Sequence, residues 1–391
     1  MTITINNKNK KPNVPNLRFP EFKGEWEKCK LSEICTFFSG GTPSSSNKDF
    51  YGGNIAFIRS GELHADSTEL FITQAGFDSS SAKMVEIGDL LLAMYGATSG
   101  DIAASKIKGA INQAILCIRT KQNKKFIESV WNKHVSKNLR KYLQGGQGNL
   151  SADIVKGISF FFPTLKEQEK IANLVSLLDE RIATQNKIIE DLKKLKSAII
   201  EMEYTHKTKS NSHIGDFIEQ TSKRNKNCAI QNVLSVSNRQ GFIQQSEQFE
   251  NRSVASDDTS NYKIVEKNDF AFNPARINVG SIARLTTFDR GIVSPMYICF
   301  RTKDTLFPEY LDYYFETKQF FTEIQKRLEG SVRQCLSFEG LCNIPLCIPT
   351  IEVQRQVGNQ LSTLAQEIKL EIDFLELLQR QKKFLLHQMF I

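Results

Sequence analysis
Apolar residues recur at alternating steps of four and three along two long stretches of the chain. In the first they fall at Ile171, Val175, Leu178 and Ile182, pass a polar Gln185, resume at Ile189 and Leu192, pass Lys196 and return at Ile199. The second runs through Val357, Leu361, Leu364, Ile368, polar Glu371, Leu375, Leu378, Lys382, Leu385 and Met389. Each pattern is the heptad seam of a coiled-coil helix, and the polar interruptions coincide. No proline breaks either stretch, so each predicts one continuous helix. At about 1.5 Å per residue, the first would reach roughly 48 Å from Ile171 to Glu203. A stripe of that length must be covered, and the two stripes are expected to cover each other.

The seams belong to a larger repeat. Leu150-Ser151 falls over Leu336-Ser337, Ile158 over Ile344, Pro163-Thr164 over Pro349-Thr350 and Gln168 over Gln354, all 186 positions apart. Upstream the offset drifts through short insertions, with Arg119 over Arg301 and Gly88-Asp89 over Asn268-Asp269. Each copy opens on an irregular region with short β-like runs, such as Asp89 to Tyr95 and Met296 to Phe300. An amphipathic helix closes each region: Ile127, Val130, Trp131, Val135 and Leu139 mark it in copy one, and Tyr310, Leu311, Tyr314, Phe315, Ile324 and Leu328, after Pro308, in copy two. The expected class is α+β, with two similar mixed α/β domains joined by two long antiparallel helices in a pseudo-two-fold arrangement. The direction follows from connectivity. Only a short polar joint, Thr205 to Ser212, separates the first helix from the second globular region, so the second helix must return along the first. The expected limits are 1–165 for the first domain with an N-terminal arm, 166–205 for the first long helix, 206–351 for the second domain and 352–391 for the second helix.

At 391 residues the chain exceeds what one hydrophobic core fills, in keeping with two globular regions. The longest apolar run, Leu90 to Tyr95, is of strand length, far short of the roughly 18 residues a membrane span needs. The first 22 residues carry no apolar core of a secretory leader, so a cytoplasmic protein with reduced thiols is expected. None of the eight cysteines forms a C-x-x-C pair, which points to buried, inert thiols. A net charge of +8 permits a polyanionic partner without requiring one.

Two similar heads at a set distance suit two sites on one linear polymer, and a duplex whose turn is about 34 to 36 Å is the natural candidate. The chain carries no nucleotide-binding glycine signature, since Gly145-Gly146-Gln147-Gly148 has the wrong spacing. Asn273-Pro274-Ala275-Arg276 lacks the second proline and aromatic of an amino-methyltransferase motif. His64, His134, His206, His213 and His387 are scattered, and Glu190-Asp191-Leu192-Lys193 lies on the solvated side of a heptad helix. No catalytic residue, metal site or cofactor site is expected in this chain.

The segments Gly40-Gly41-Thr42-Pro43-Ser44, Gly88-Asp89-Leu90-Leu91 through Tyr95-Gly96-Ala97-Thr98-Ser99-Gly100, Asn112-Gln113-Ala114 and Gly148-Asn149-Leu150-Ser151 come before Phe162-Pro163 and Glu167-Gln168-Glu169-Lys170-Ile171 at the start of the long helix. Together they resemble the specificity subunit of type I restriction-modification systems. The resemblance implies a non-catalytic subunit whose two target-recognition domains each read one half of a bipartite double-stranded DNA site, with the helical bar fixing the gap. It also implies two adenine-methylating modification subunits and ATP-driven restriction subunits as partners, which would hold S-adenosylmethionine, ATP and Mg. Copy two departs from the pattern, with Asn273-Pro274-Ala275-Arg276 where copy one has Ala93-Met94-Tyr95-Gly96 and no counterpart to Gly40-Gly41-Thr42-Pro43.

Arg suits guanine, Asn and Gln suit adenine, and Ser and Thr suit phosphates. The candidate DNA contacts are therefore Thr42, Ser44, Ser45, Lys48, Arg59, Tyr95, Thr98, Ser99, Asn112, Gln113, Gln147 and Asn149 in the first domain. In the second they are Arg239, Asn273, Arg276, Asn278, Ser294, Ser331, Arg333 and Gln334. Bland roles compete: Asn112 could cap a turn, and Arg59 could pair with Glu62. The rival for the whole chain is a coiled-coil scaffold that spaces two protein-binding heads and does not touch DNA.

Overall fold
The computed structural model describes residues 13–142, 150–205, 212–238, 240–245, 258–330 and 334–391. The chain forms two compact units, Met1–Gln185 with Phe374–Ile391, and Asn186–Asp373.

In the first unit, the antiparallel strands Cys35–Ser39, Ile115–Thr120, Leu90–Ala93 and Ile102–Ala104 form one sheet in that order. Leu90–Ala93 is buried at every position, as a strand covered on both faces must be. A second sheet runs Phe71–Ile72, Tyr51–Ile58, Gly109–Ile111 and Lys83–Val85, with its middle pair parallel. The floor of the unit is a core of Trp26, Phe126, Trp131, Phe160 and Phe162. Into it are packed Ile171 and Val175 from the start of the long helix Leu165–Thr205 and Met389 and Phe390 from the end of the chain. One turn further on, Asp179 takes both Lys125 and Lys382 as ion-pair partners. The start of one long helix thus lies beside the end of the other, Ile351–Met389, so the two segments run antiparallel here.

The second unit repeats the plan. Its sheets run Ile218–Thr221, Ile298–Thr302, Phe270–Phe272, Ile282–Arg284, and Gly241–Gln244, Val233–Ser237, Arg290–Val293, Lys263–Glu266, again with a parallel middle pair in the second. Strand for strand the order matches the first unit. Ile200 and Tyr204, near the end of the first long helix, share a core with Val357 and Leu361 at the start of the second, again antiparallel. Along both helices the seam is the covered side. Ile171, Val175, Ile189, Val357, Leu361, Ile368, Leu378 and Met389 are buried, and so is the polar seam residue Gln185. Glu190, Asp191 and Lys193 are exposed.

Shared residues hold equivalent joints in both units. Gln168, 1% exposed, donates to the carbonyl of Pro163 (2.9 Å) and accepts from the Asn123 amide (3.2 Å). Gln354, fully buried, donates to Pro349 (2.9 Å) and Thr305 (3.1 Å) and accepts from the Phe307 amide (2.8 Å). Asp89 accepts from the Glu86 amide (3.0 Å) and from Arg119 (2.6 Å), and Asp269 accepts from the Glu266 amide (2.9 Å) and from Arg301 (3.1 Å).

The two aspartates differ in their electrostatics. Burial pushes the Asp89 carboxyl up, but Arg119, the Glu86 amide and Lys124 outweigh it and leave it below the usual range. Burial also raises Asp269, and there the Glu266 amide and Arg301 only partly offset it. Asp89 therefore adds stability above its unfolded pKa of about 3.9, and this is lost on acidification, whereas Asp269 is most favourable when protonated, at low pH. The destabilisation caused by Asp89→Asn should shrink as pH falls below about 4, and that of Asp269→Asn should grow as pH falls toward about 4 and be complete below it. Urea unfolding of each variant from pH 3 to 7 measures both slopes, and parallel curves would contradict the assignment.

Several expectations need correction. The closing amphipathic helix is single in copy one, Lys124–Tyr142, but splits in copy two into Pro308–Tyr314 and Lys318–Arg327. The Thr317 hydroxyl caps the second piece by accepting from the Phe320 amide (3.0 Å), which starts a new helix where the pattern suggested continuity. Met94, Tyr95, Met296 and Tyr297 lie in loops, since strands begin or end beside them. Of the eight thiols only Cys35, Cys117 and Cys299 are buried; the other five are half-buried. Burial pushes Cys117 and Cys299 up to about 12. Among the described residues no helix is long and apolar enough to cross a membrane. The side chain of Leu139 and the joint 206–211 lie outside the described residues.

Candidate nucleic-acid interface
Sheet register gathers the loops of the first unit on one rim. Ser39 pairs with Leu116, Ala93 with Ile115 and Leu92 with Ile102, so the segments after Ser39 and Ala93 and before Ile102 and Ile115 leave the first sheet at the same edge. In the second sheet Ile58 lies beside Ile111 in the parallel pair, which brings the segment after Ile58 to the same place. Hydrogen bonds lace the loops together: the Gly40 amide to the Asn112 carbonyl (3.2 Å), the Met94 amide to Ala114 (2.8 Å) and the Leu150 amide to Met94 (2.8 Å). Gly40 is obligatory, because a Cβ there would lie 1.7 Å from the Ile111 carbonyl oxygen.

This rim joins most of the candidates in copy one. Thr42 donates to the side chain of Gln113 (2.6 Å), and both are exposed. Tyr95 is exposed, with half-buried Thr98 and Ser99 in the turn that follows it. Ser44 and Ser45 are exposed, and Ser44 shares a hydrogen bond with Ser46 (2.7 Å). Asn112 takes the bland role, accepting from the Ala114 amide (3.0 Å). So does Arg59, whose guanidinium is closed on Glu62 (2.7 Å). Lys48 stands at the opposite end of strand Tyr51–Ile58 from Arg59 and is exposed there. One residue pair on the rim escapes motif reasoning: His64 with Asp101 (2.9 Å), distant in sequence and both solvent-accessible.

The second unit builds the same rim. The Leu336 amide donates to the Pro274 carbonyl (3.0 Å), the counterpart of Leu150 on Met94. Asn273 braces its loop by accepting from the Ala275 amide (3.1 Å), and Arg276 is exposed beside half-buried Asn278. A cleft of about 210 Å³ opens between Val236, Ser237, Asn238, Arg276, Val279 and Ser281. Ser294 follows Val293, which pairs with Leu234 in the parallel pair, so it reaches this edge too, and exposed Gln334 precedes the anchored Leu336. Gln147, Asn149, Arg239, Ser331 and Arg333 lie outside the described residues.

The missing counterpart of Gly40-Gly41-Thr42-Pro43 is a matter of topology. Ile218–Thr221 holds the place of Cys35–Ser39, so the slot after it is filled by Ser222 to Ile230. That segment carries Lys223, Arg224 and Lys226, all exposed, which no copy-to-copy alignment could align. The local run Lys-Arg-Asn-Lys was the available signal. Among the described residues no group of three or more His, Cys, Asp or Glu is placed to hold a metal.

Comparison with known proteins finds similarity to one family. Residues 23–194 match the type I restriction modification DNA specificity domain. A putative type I restriction enzyme MjaX specificity subunit of Methanocaldococcus jannaschii is 27% identical over 235 residues, covering 54% of either chain. The EcoR124I/EcoR124II specificity subunit of Escherichia coli is 28% identical over 204 residues, 49% of this chain and 50% of that one. The chain thus spans about half the length of the curated relatives it matches. The crystal structure of a type I restriction-modification S subunit from M. genitalium shares the fold, with a TM-score of 0.63 at 14% identity over 97% of this chain and 99% of that one. Over residues 23–194 the chain is thus similar to the DNA specificity domain of type I restriction-modification systems, and over about half its length it is similar to their specificity subunits.

Proposed function
We propose that each unit reads one half of a two-part double-stranded DNA site through its loop rim, and that the length of the long helices sets the unread gap. The observation that carries this reading is the recurrence of the rim: the same strands, the same anchoring bond (Leu150 to Met94, Leu336 to Pro274) and different exposed side chains upon it. A constant frame with variable tips suits two different half-sites. Modification subunits that methylate adenine and ATP-dependent restriction subunits would supply the chemistry and hold S-adenosylmethionine, ATP and Mg, while this chain catalyses nothing. Their recruitment is supported by apolar side chains left exposed at seven-residue steps on the long helices: Ile188, Leu195 and Met202 on one, and Leu370, Leu377 and Phe384 on the other.

The test is to sequence methylated bases in cells with and without this chain. A two-part motif should appear only when the chain is present, and its gap should lengthen when one heptad is added to both helices. A scaffold that merely spaced proteins would leave the methylated set unchanged and would defeat the proposal.

A further inference from the structure
The second unit has a cationic cleft outside the rim candidates. It measures about 860 Å³ and is lined by Lys223, Arg224, Lys226 and Arg290 with Asn225 and Asn227. The loop that bears it is fixed in place. The Asn225 amide donates to Tyr262 (2.9 Å), and Lys223 accepts at its carbonyl from the Ile264 amide (2.8 Å), so the segment lies along the outer edge of strand Lys263–Glu266. The fully buried Asn225 side chain clamps the turn, donating to the Ile230 carbonyl (2.9 Å) and accepting from the Ile230 amide (3.2 Å). The four cations stay on the surface: all are exposed, and none closes an ion pair with a carboxylate among the described residues. Three arginines elsewhere in the unit do close on carboxylates. Arg284 is closed on Glu309 and Asp312, Arg301 on Glu266 and Asp269, and Arg327 on Glu323.

The cleft is continuous with the rim. Arg224 bridges to Lys263, and the Lys263 ammonium donates to the Tyr297 carbonyl (2.6 Å) in the loop that bears Ser294. From there the cations extend to Arg290, at the far end of its strand from the rim. In the first unit the same slot, Gly40 to Asn47, is uncharged. We infer that Lys223, Arg224, Lys226 and Arg290 form a clamp on the sugar-phosphate backbone of duplex DNA, one that anchors the second unit beside its half-site without reading sequence and has no equivalent in the same slot of the first. The inference rests on the DNA-binding function proposed above. Three cations on a fixed loop and a fourth at the start of the strand Arg290–Val293, none held by a carboxylate among the described residues although Arg224 donates to the Asn261 side chain (3.0 Å), match a line of phosphates.

The experiment uses the full chain and randomised duplex DNA, with binding measured between about 50 and 200 mM salt and the preferred sequence read from the bound fraction. Each phosphate contact contributes about 0.9 to the slope of log affinity against log salt. The quadruple variant Lys223→Ser, Arg224→Ser, Lys226→Ser, Arg290→Ser should flatten that slope by about 3.6 while selecting the same sequences as the parent. The charge-keeping variant Lys223→Arg, Arg224→Lys, Lys226→Arg, Arg290→Lys should retain the parent slope, which separates lost charge from lost folding. An unchanged slope in the serine variant overturns the clamp alone. A changed sequence preference overturns it in favour of base reading. A parent chain without salt-dependent DNA binding would bring down the proposed function, and the clamp with it.

Discussion
Gln354→Leu should lower the stability of the second unit by about 3 to 6 kcal/mol. The amide side chain is fully buried and serves three backbone groups at once: the Phe307 N–H and the carbonyls of Thr305 and Pro349. Leucine matches its bulk but none of its hydrogen bonds, and each buried group left without a partner costs about 1 to 3 kcal/mol. Gln168→Leu should cost the first unit somewhat less. It orphans the Asn123 amide and the Pro163 carbonyl, but its third partner is the side chain of Gln122, which can turn to water. The exposed change Asn359→Ala on the same helix as Gln354 should stay within about 0.5 kcal/mol. Denaturant unfolding of the three variants checks the ranking. A Gln354→Leu chain as stable as Asn359→Ala would show that these bonds do not tie the helix to its domain.

Arg18→Ala should cost the first unit about 3 to 5 kcal/mol, because it strands a buried charge. Glu167 is 1% exposed, and Arg18 meets it with two nitrogens at 2.8 Å each, leaving only the Trp26 indole N–H (3.3 Å) once the guanidinium is gone. The same arginine also donates to the Gly24 carbonyl (2.6 Å), so the arm that leads into the domain would lose its tie as well. The double variant Arg18→Ala, Glu167→Leu should be more stable than Arg18→Ala alone, since replacing both members removes the unpaired carboxylate. If the double variant were less stable than the single, Glu167 would be held by something other than Arg18.

The long helices were legible because one buried side at heptad spacing writes itself into the order of residues. Even Gln185 and Lys196 fit the seam, since their neighbours set the period. The repeat was legible for a related reason: Leu150 and Leu336, Gln168 and Gln354, and Asp89 and Asp269 do the same job in each unit and cannot drift independently. The sheets were not. Their strands run from two to eight residues, pair across long loops and leave no period to read. Most of the rim candidates in copy one did converge, but Thr42 meets Gln113 and His64 meets Asp101 only through tertiary folding. Lys223, Arg224 and Lys226 are not legible in the repeat, because their equivalence to the Gly40 loop is one of position along a sheet, with no shared residues.

The glutamine joints also have a mechanical meaning. Gln168 and Gln354 each sit in the first turn of a long helix and grip the strand-to-helix junction of the domain just before it. Neither domain is free to swivel on a hinge at that point, so any torque applied to a helix is passed directly to the loops above it.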